Sequence, residues 1–285
     1  MTTPDRRITP VRDDLAAAEL RGIVEAPRFA EGKRHRIVRG RMALRAKPSA
    51  DARQETELLF GEVFTVYESV HGWAWGQALA DSYVGYVHTI ACTEGLLEPD
   101  HLVTALATPL LPAPDIKRPA LDMLPMNAKV RVLSSEKGFA RIDPAGYVAA
   151  RHLVPLDNRI KDWVGVAERF VGTPYVWGGK THAGLDCSGL IQTALEAGGI
   201  GSPRDADQQE AVLGTAVTVG ANLEGIERGD LVFWNGHAGI ALDNARLLHA
   251  NAYHMEVVIE PLREALSRIA PTAGPVTSVR RVAPQ

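Results

Sequence analysis

Two small all-β units followed by an α+β unit is the architecture the sequence predicts, and three observations predict it. From about Arg34 the chain reads as short alternating strands broken by Gly, Pro, Ser and Asp. That texture then recurs in degenerate form: "HGWAWGQALADSYVGYVHT" and "KGFARIDPAGYVAARHL" both run Gly–aromatic, strand, polar turn, Gly-Tyr-Val. After Asp157 the apolar spacing changes to that of helices, and strands return only near the C-terminus.

Residues 1–32 read as an arm with a short helix in "RDDLAAAELRGIV", with Asp14 as its cap. Residues 33–95 form the first β unit, whose clearest strands are "GEVFTVYES", "GWAWGQAL" and "YVGYVHT". Trp73 and Trp75 flank Ala74 and share one sheet face. Residues 96–157 open with a Pro-rich connector and form the second β unit. In residues 158–285, "IKDWVGVAERFVG" carries Trp163, Val166, Ala167 and Phe170 at helical spacing. "CSGLIQTALEAGG" is a second helix stopped by Gly198-Gly199, "DADQQEAVLG" a short third, and "GDLVFWNGHAGIALDNARLLHANAYHMEVVIEPL" a run of strands.

The totals bound the function. The chain has 285 residues, 46% hydrophobic and 23% charged, an ordinary globular composition. A formal net charge of −3 argues against a general nucleic-acid binder or a basic membrane-surface protein. Two cysteines form no disulfide framework and no zinc cluster, so neither a metal nor another cofactor is expected. The start shows no signal-peptide run and the chain has no membrane-length apolar stretch, so the expected location is the cytoplasm with no membrane partner. Nothing in the sequence signals an oligomeric state.

One cysteine is the chemical candidate. Asp186 is placed as an N-cap, which puts Cys187 at the first helical position. Unpaired N–H groups and the helix dipole there favour a thiolate, whereas the adjacent Asp186 carboxylate opposes it unless occupied elsewhere. Gly189 admits another backbone close to that turn. Position alone leaves open a buried structural cysteine or a nucleophile; a nucleophile needs a base. His237 in "GHAGIAL" and His249 in "LLHAN" supply one. A hairpin loop centred on Asp243 sets them directly opposite on one face, where His249 can orient the His237 ring.

"GTPYVWGGKTHAGLDCSGLIQTAL", then "RDADQQ", "GDLVFW", "GHAGIAL" and "LLHAN", resembles the NlpC/P60 family of papain-like cysteine peptidases, in order and spacing, over about residues 158–285. The two "G-W…GYV" units resemble tandem bacterial SH3 domains. Together they resemble the γ-D-glutamyl-diamino acid peptidases of that family. The resemblance implies a Cys187–His237–His249 triad, with Tyr175 at the oxyanion site. It implies a murein-derived peptide substrate with a free N-terminal L-alanine, cut before diaminopimelate or lysine, in cell-wall recycling. It places Asp186 on the substrate ammonium and Ser188 beside the γ-glutamyl residue. It also asks for an acid and a tyrosine of the first SH3 unit at the same ammonium, for which Glu62 and Tyr83 are the candidates. Either is equally readable as structural, Glu62 as a strand-end carboxylate and Tyr83 as a half-buried aromatic.

Trp177, among loop glycines, reads as groove wall. Arg204, Asp205 and Gln208 read as structural hydrogen-bonding residues, Cys92 as a strand-end core cysteine, and His71, His88, His182 and His254 as surface residues. Competing functions are a general wall endopeptidase, a non-catalytic murein-peptide binder and an acyltransferase. The intact Cys187, His237 and His249 disfavour the binder; the paired SH3-like units disfavour the acyltransferase.

Overall fold

The computed structural model describes residues 4–144, 146–220 and 223–283, in two compact units, 1–158 and 159–285. In the first unit, residues 33–93 form a seven-stranded antiparallel sheet. Its centre is made of Val63–Val70, Trp73–Ala78 and Val84–His88, the strands legible in the sequence. Ile37, Leu44, Phe64, Ala74 and Val87 fill its core. Residues 101–155 make three smaller sheets around a second core that includes Val103, Leu124, Val130 and Val148.

The repeat is structural. Gly85-Tyr86-Val87 lies on the strand Val84–His88, Tyr147 and Val148 open the strand Tyr147–Ala149 directly after Gly146, and each strand runs into a 3-10 turn, Thr89–Ala91 or Ala150–His152. A short strand follows in both, Cys92–Thr93 or Leu153–Pro155. The glycine is sterically required in each copy: a Cβ on Gly85 would lie 2.4 Å from Leu44, and one on Gly146 would lie 2.5 Å from Leu110. Cys92 sits at its strand end, partly buried against the first core.

The helix expected in the arm is absent. Ala16–Ala17 is a short strand paired with Phe29–Ala30, followed by only one 3-10 turn. Leu15, Ala16 and Ala17 are all buried in succession, with Leu15 and Ala17 in a cluster with Tyr67 and Trp75. An α-helix that short could not bury three consecutive residues on one side, so tertiary packing overrides helix propensity. Asp14 pairs with Arg12 and Arg28 instead of capping. Arg12 in turn lies over the Trp75 ring.

The second unit packs helices on a six-stranded antiparallel sheet. α1 is Trp163–Glu168, α2 Cys187–Ala197 and α3 Ala206–Val212. The sheet order is Thr215–Ala216, Ser278–Arg281, Asp230–Trp234, His237–Ala241, Arg246–Asn251, Glu256–Pro261. A fourth helix, α4, spans Leu262–Ala273. Its Leu262, Ala265 and Ile269 are buried at helical spacing against Trp234 and Leu247, a pattern present in the sequence but hidden by Pro271. No described helix is long and apolar enough to cross a membrane.

Candidate active site

α2 carries the nucleophile candidate. Its eleven residues are buried except Glu196, so the helix runs through the core and its first turn is fixed in place. Asp186 is the N-cap: its carboxylate accepts the Gly189 N–H at 2.7 Å. A Cβ on Gly189 would lie 2.1 Å from the Gly179 carbonyl oxygen, so that backbone is the one the glycine admits. Cys187 heads the helix, 8% exposed, with the N–H groups of Ser188 and Ala238 directed at its sulfur. Ala238 follows His237, so the histidine strand and the thiol are brought together.

The two histidines meet diagonally rather than face to face. Asp243 Oδ1 accepts the N–H groups of Ala245 and Arg246, and Leu242 N–H bonds the Arg246 carbonyl. The loop is therefore residues 243–245, centred on Asn244 rather than Asp243, and Ile240 pairs with Leu248. That register sets Gly239 opposite His249 and His237 two residues off. A Cβ on Gly239 would lie 3.3 Å from His249 Cβ, so a side chain here would crowd the crossing. Both histidines keep the same sheet face, and His237 Nε2 lies 2.8 Å from His249 Nδ1. Trp234 covers the His237 ring at 5.6 Å between centroids.

The chain of contacts continues past His249, which is fully buried. Its Nε2 lies 2.6 Å from Glu260 Oε1, and Arg268 donates to the same oxygen. Asn251 Nδ2 stands 3.0 Å from the same ring nitrogen, while Asn251 Oδ1 accepts from His254 N–H and faces its Nδ1. His254 is thus tied to the site's edge rather than being a plain surface residue. Glu260, Asn251 and Arg268 were not singled out from sequence. For Glu260 the signal was available: it is on the neighbouring strand, paired with Leu247, and so on the His249 face.

Burial dominates the charges. It pushes the Cys187 thiol up to about 12, aided by the Asp186 carboxylate and only partly opposed by the two N–H groups and Arg204. This reverses the expectation from helix position: desolvation outweighs the dipole. Burial, then His249 and Arg268, bring His237 down to about 3. Both directions favour the uncharged forms at rest, thiol and imidazole. Alkylation of Cys187 by iodoacetamide is accordingly expected to accelerate steadily from pH 7 to 10. A rate flat across pH 5–8 would reveal a preformed thiolate–imidazolium pair and contradict this arrangement.

Tyr175 is held by its N–H to the Met255 carbonyl at 2.9 Å and by a parallel bridge to Leu185. Burial and the neighbouring Cys187 and Asp186 raise its hydroxyl far above the usual range, so it remains a donor beside the thiol. Trp177 is 58% exposed.

Four expected substrate contacts are placed differently. Asp186 is buried and saturated: besides Gly189 N–H it accepts from Gly178 N–H at 2.8 Å and from both terminal nitrogens of Arg204 at 2.9 and 2.7 Å. Arg204, 1% exposed, is its counter-ion, and no substrate ammonium is needed to balance it. Ser188 is buried and its hydroxyl is engaged by Arg204 at 2.9 Å and Asp186 at 3.3 Å. Gln209, next to Gln208, spans Ser188 O, Ser202 Oγ and Pro203 O, bracing the same turn. In the first unit, Glu62 is buried and closes its own turn, accepting Leu59 N–H at 2.9 Å. Tyr83 is part of the first core, 3% exposed. For both, the structural alternative is the one the fold uses.

A cysteine at the start of a buried helix, against two linked histidines on an antiparallel sheet, defines a papain-like cysteine peptidase unit. Residues 172–270 match the NlpC/P60 family and residues 44–91 the bacterial dipeptidyl-peptidase Sh3 domain. The chain thus carries an NlpC/P60 cysteine peptidase domain preceded by a bacterial SH3 domain of dipeptidyl-peptidase type. It is 30% identical to dipeptidyl-peptidase 6 of Lysinibacillus sphaericus over 47% of this chain and 48% of that protein. It is 28% identical to the gamma-D-glutamyl-L-lysine dipeptidyl-peptidase of Bacillus subtilis over 53% of this chain and 52% of that one. With the Bacillus cereus protein of the same name, identity is 25% over 73% of this chain and 70% of the relative. The matches therefore span about half the length of the first two relatives. A solved NlpC/P60 family protein from Bacillus cereus shares the fold with a TM-score of 0.74 over 88% of this chain and all of that one, at 20% identity.

Proposed function

We propose that this protein hydrolyses the γ-D-glutamyl bond to the diamino acid in murein-derived peptides, acting from a free N-terminal L-alanine. The observation that carries the reading is the linked His237–His249 pair on the strand whose Ala238 N–H meets Cys187, within an NlpC/P60 domain. The thiol proton passes to the His237 ring nitrogen not used by His249. The sulfur attacks the carbonyl carbon, and the first-turn N–H groups and the Tyr175 hydroxyl receive the oxyanion. His237 then protonates the leaving amine, and water releases the acyl group from Cys187.

The dipeptide specificity is supported by the SH3 match and by the relatives named as dipeptidyl-peptidases. Asp186 and Glu62 both have internal partners, which supports looking for the ammonium's carboxylates elsewhere. Dipeptide removal acts on free stem peptides rather than on intact wall, the basis for proposing a recycling role in the cytoplasm. The test is mass spectrometry of L-Ala-γ-D-Glu-L-Lys and its diaminopimelate counterpart, each against its N-acetyl form. Release of the N-terminal dipeptide is expected, with acetylation slowing it on the order of 10²-fold. Equal rates would leave a general endopeptidase, an activity named for a 33%-identical Mycobacterium tuberculosis relative over 39% of this chain.

A further inference from the structure

We infer that Glu260 sets the direction of the proton chain through both histidines, and so makes His237 a base toward Cys187. The inference rests on the proposed role of Cys187 as nucleophile. His249 Nε2 has two polar neighbours that ask opposite things of it. Glu260 Oε1, at 2.6 Å, requires an N–H. Asn251 Nδ2, at 3.0 Å, requires a lone pair. Asn251 is oriented that way because its oxygen is taken by His254.

The two choices have opposite consequences twelve residues away. With the proton on Nε2, His249 Nδ1 is an acceptor and takes the N–H of His237 Nε2 across 2.8 Å. His237 Nδ1 is then unprotonated and free to take the thiol proton. With the proton on Nδ1, His249 donates to His237 Nε2 instead. His237 then carries its own proton on Nδ1, and the base is blocked. A neutral amide and a carboxylate compete for one nitrogen, and the charged acceptor forms the stronger bond. Arg268 donates to the same carboxylate oxygen and lies over the Tyr253 ring at 4.5 Å, holding Glu260 ionised and in place. Glu260 is thus a positioning residue acting through His249.

The ionisable groups facing the two rings are Glu260, Arg268 and His254. Two substitutions separate a directing role from a structural one. Glu260→Gln keeps the shape but removes the preference, since a glutamine can present either oxygen or N–H. Its kcat is expected to fall about 10²-fold with KM little changed. The acid limb of its kcat/KM profile should move to lower pH, because the imidazolium loses its anion. Arg268→Met should move that limb the opposite way, because a nearby cation is lost. Iodoacetamide alkylation of Cys187, which needs no peptide, should slow in Glu260→Gln in step with kcat.

A Glu260→Gln enzyme with wild-type kcat and pH profile would overturn the proposal, as would a loss confined to KM or to the folded fraction measured by circular dichroism. If Glu260→Gln does not fold, an acid limb in Arg268→Met that stays put or moves down overturns it. Cys187→Ala in the same assay keeps the two readings apart: activity there refutes the nucleophile itself, not Glu260.

Discussion

Cys187→Ala is expected to lose ~10⁴-fold or more in kcat/KM on L-Ala-γ-D-Glu-L-Lys while folding normally. The size follows from what remains. Without sulfur no acyl-enzyme forms, and only water held near the first-turn N–H groups can react. Folding should survive because the thiol fills little volume and its backbone bonds belong to α2, whose cap is Asp186. Steady-state kinetics beside circular dichroism check both halves. A folded variant with more than a few per cent of wild-type activity would remove Cys187 from the chemistry.

How much of this was legible in the sequence depended on the range over which each feature is determined. The helix start at Cys187, the strands of the first β unit and the repeated Gly-Tyr-Val follow from neighbours within a few residues, and they are where the pattern puts them. The register of the histidine hairpin was off by one loop residue. Two N–H groups gathered by Asp243 fix the loop as three residues, and apolar alternation reads the same in either register. The arm helix failed because Leu15 to Ala17 are claimed by packing against Tyr67 and Trp75, about fifty residues on. The polar partners were least legible. Arg204 meets Asp186 across eighteen residues, and Glu260 meets His249 across a strand pair. The resemblance places Asp186 on a substrate ammonium, whereas in this fold its cation is Arg204, a partner that no local pattern announces.

That cation gives the second large effect. Arg204→Met should destabilise the catalytic unit by about 3–5 kcal/mol, the usual result of removing one member of a buried ion pair. The Asp186 carboxylate would keep its two backbone donors but lose its counter-ion while buried, next to a thiol its charge already opposes. Hydrogen exchange at the α2 amides reads the loss locally. Adding Asp186→Asn to Arg204→Met should restore more than half of the protection, because an amide still accepts at the helix cap and no charge is left stranded. Asp186→Asn alone should also lose protection, now by stranding Arg204, and it should leave the preference for the free amine over the N-acetyl peptide unchanged in the folded fraction. Wild-type exchange in Arg204→Met would dismiss the pair as a support of the helix start. A protected Asp186→Asn enzyme that no longer discriminates against the acetylated peptide would return Asp186 to the substrate, and would mean that Arg204 yields its place when the ammonium arrives.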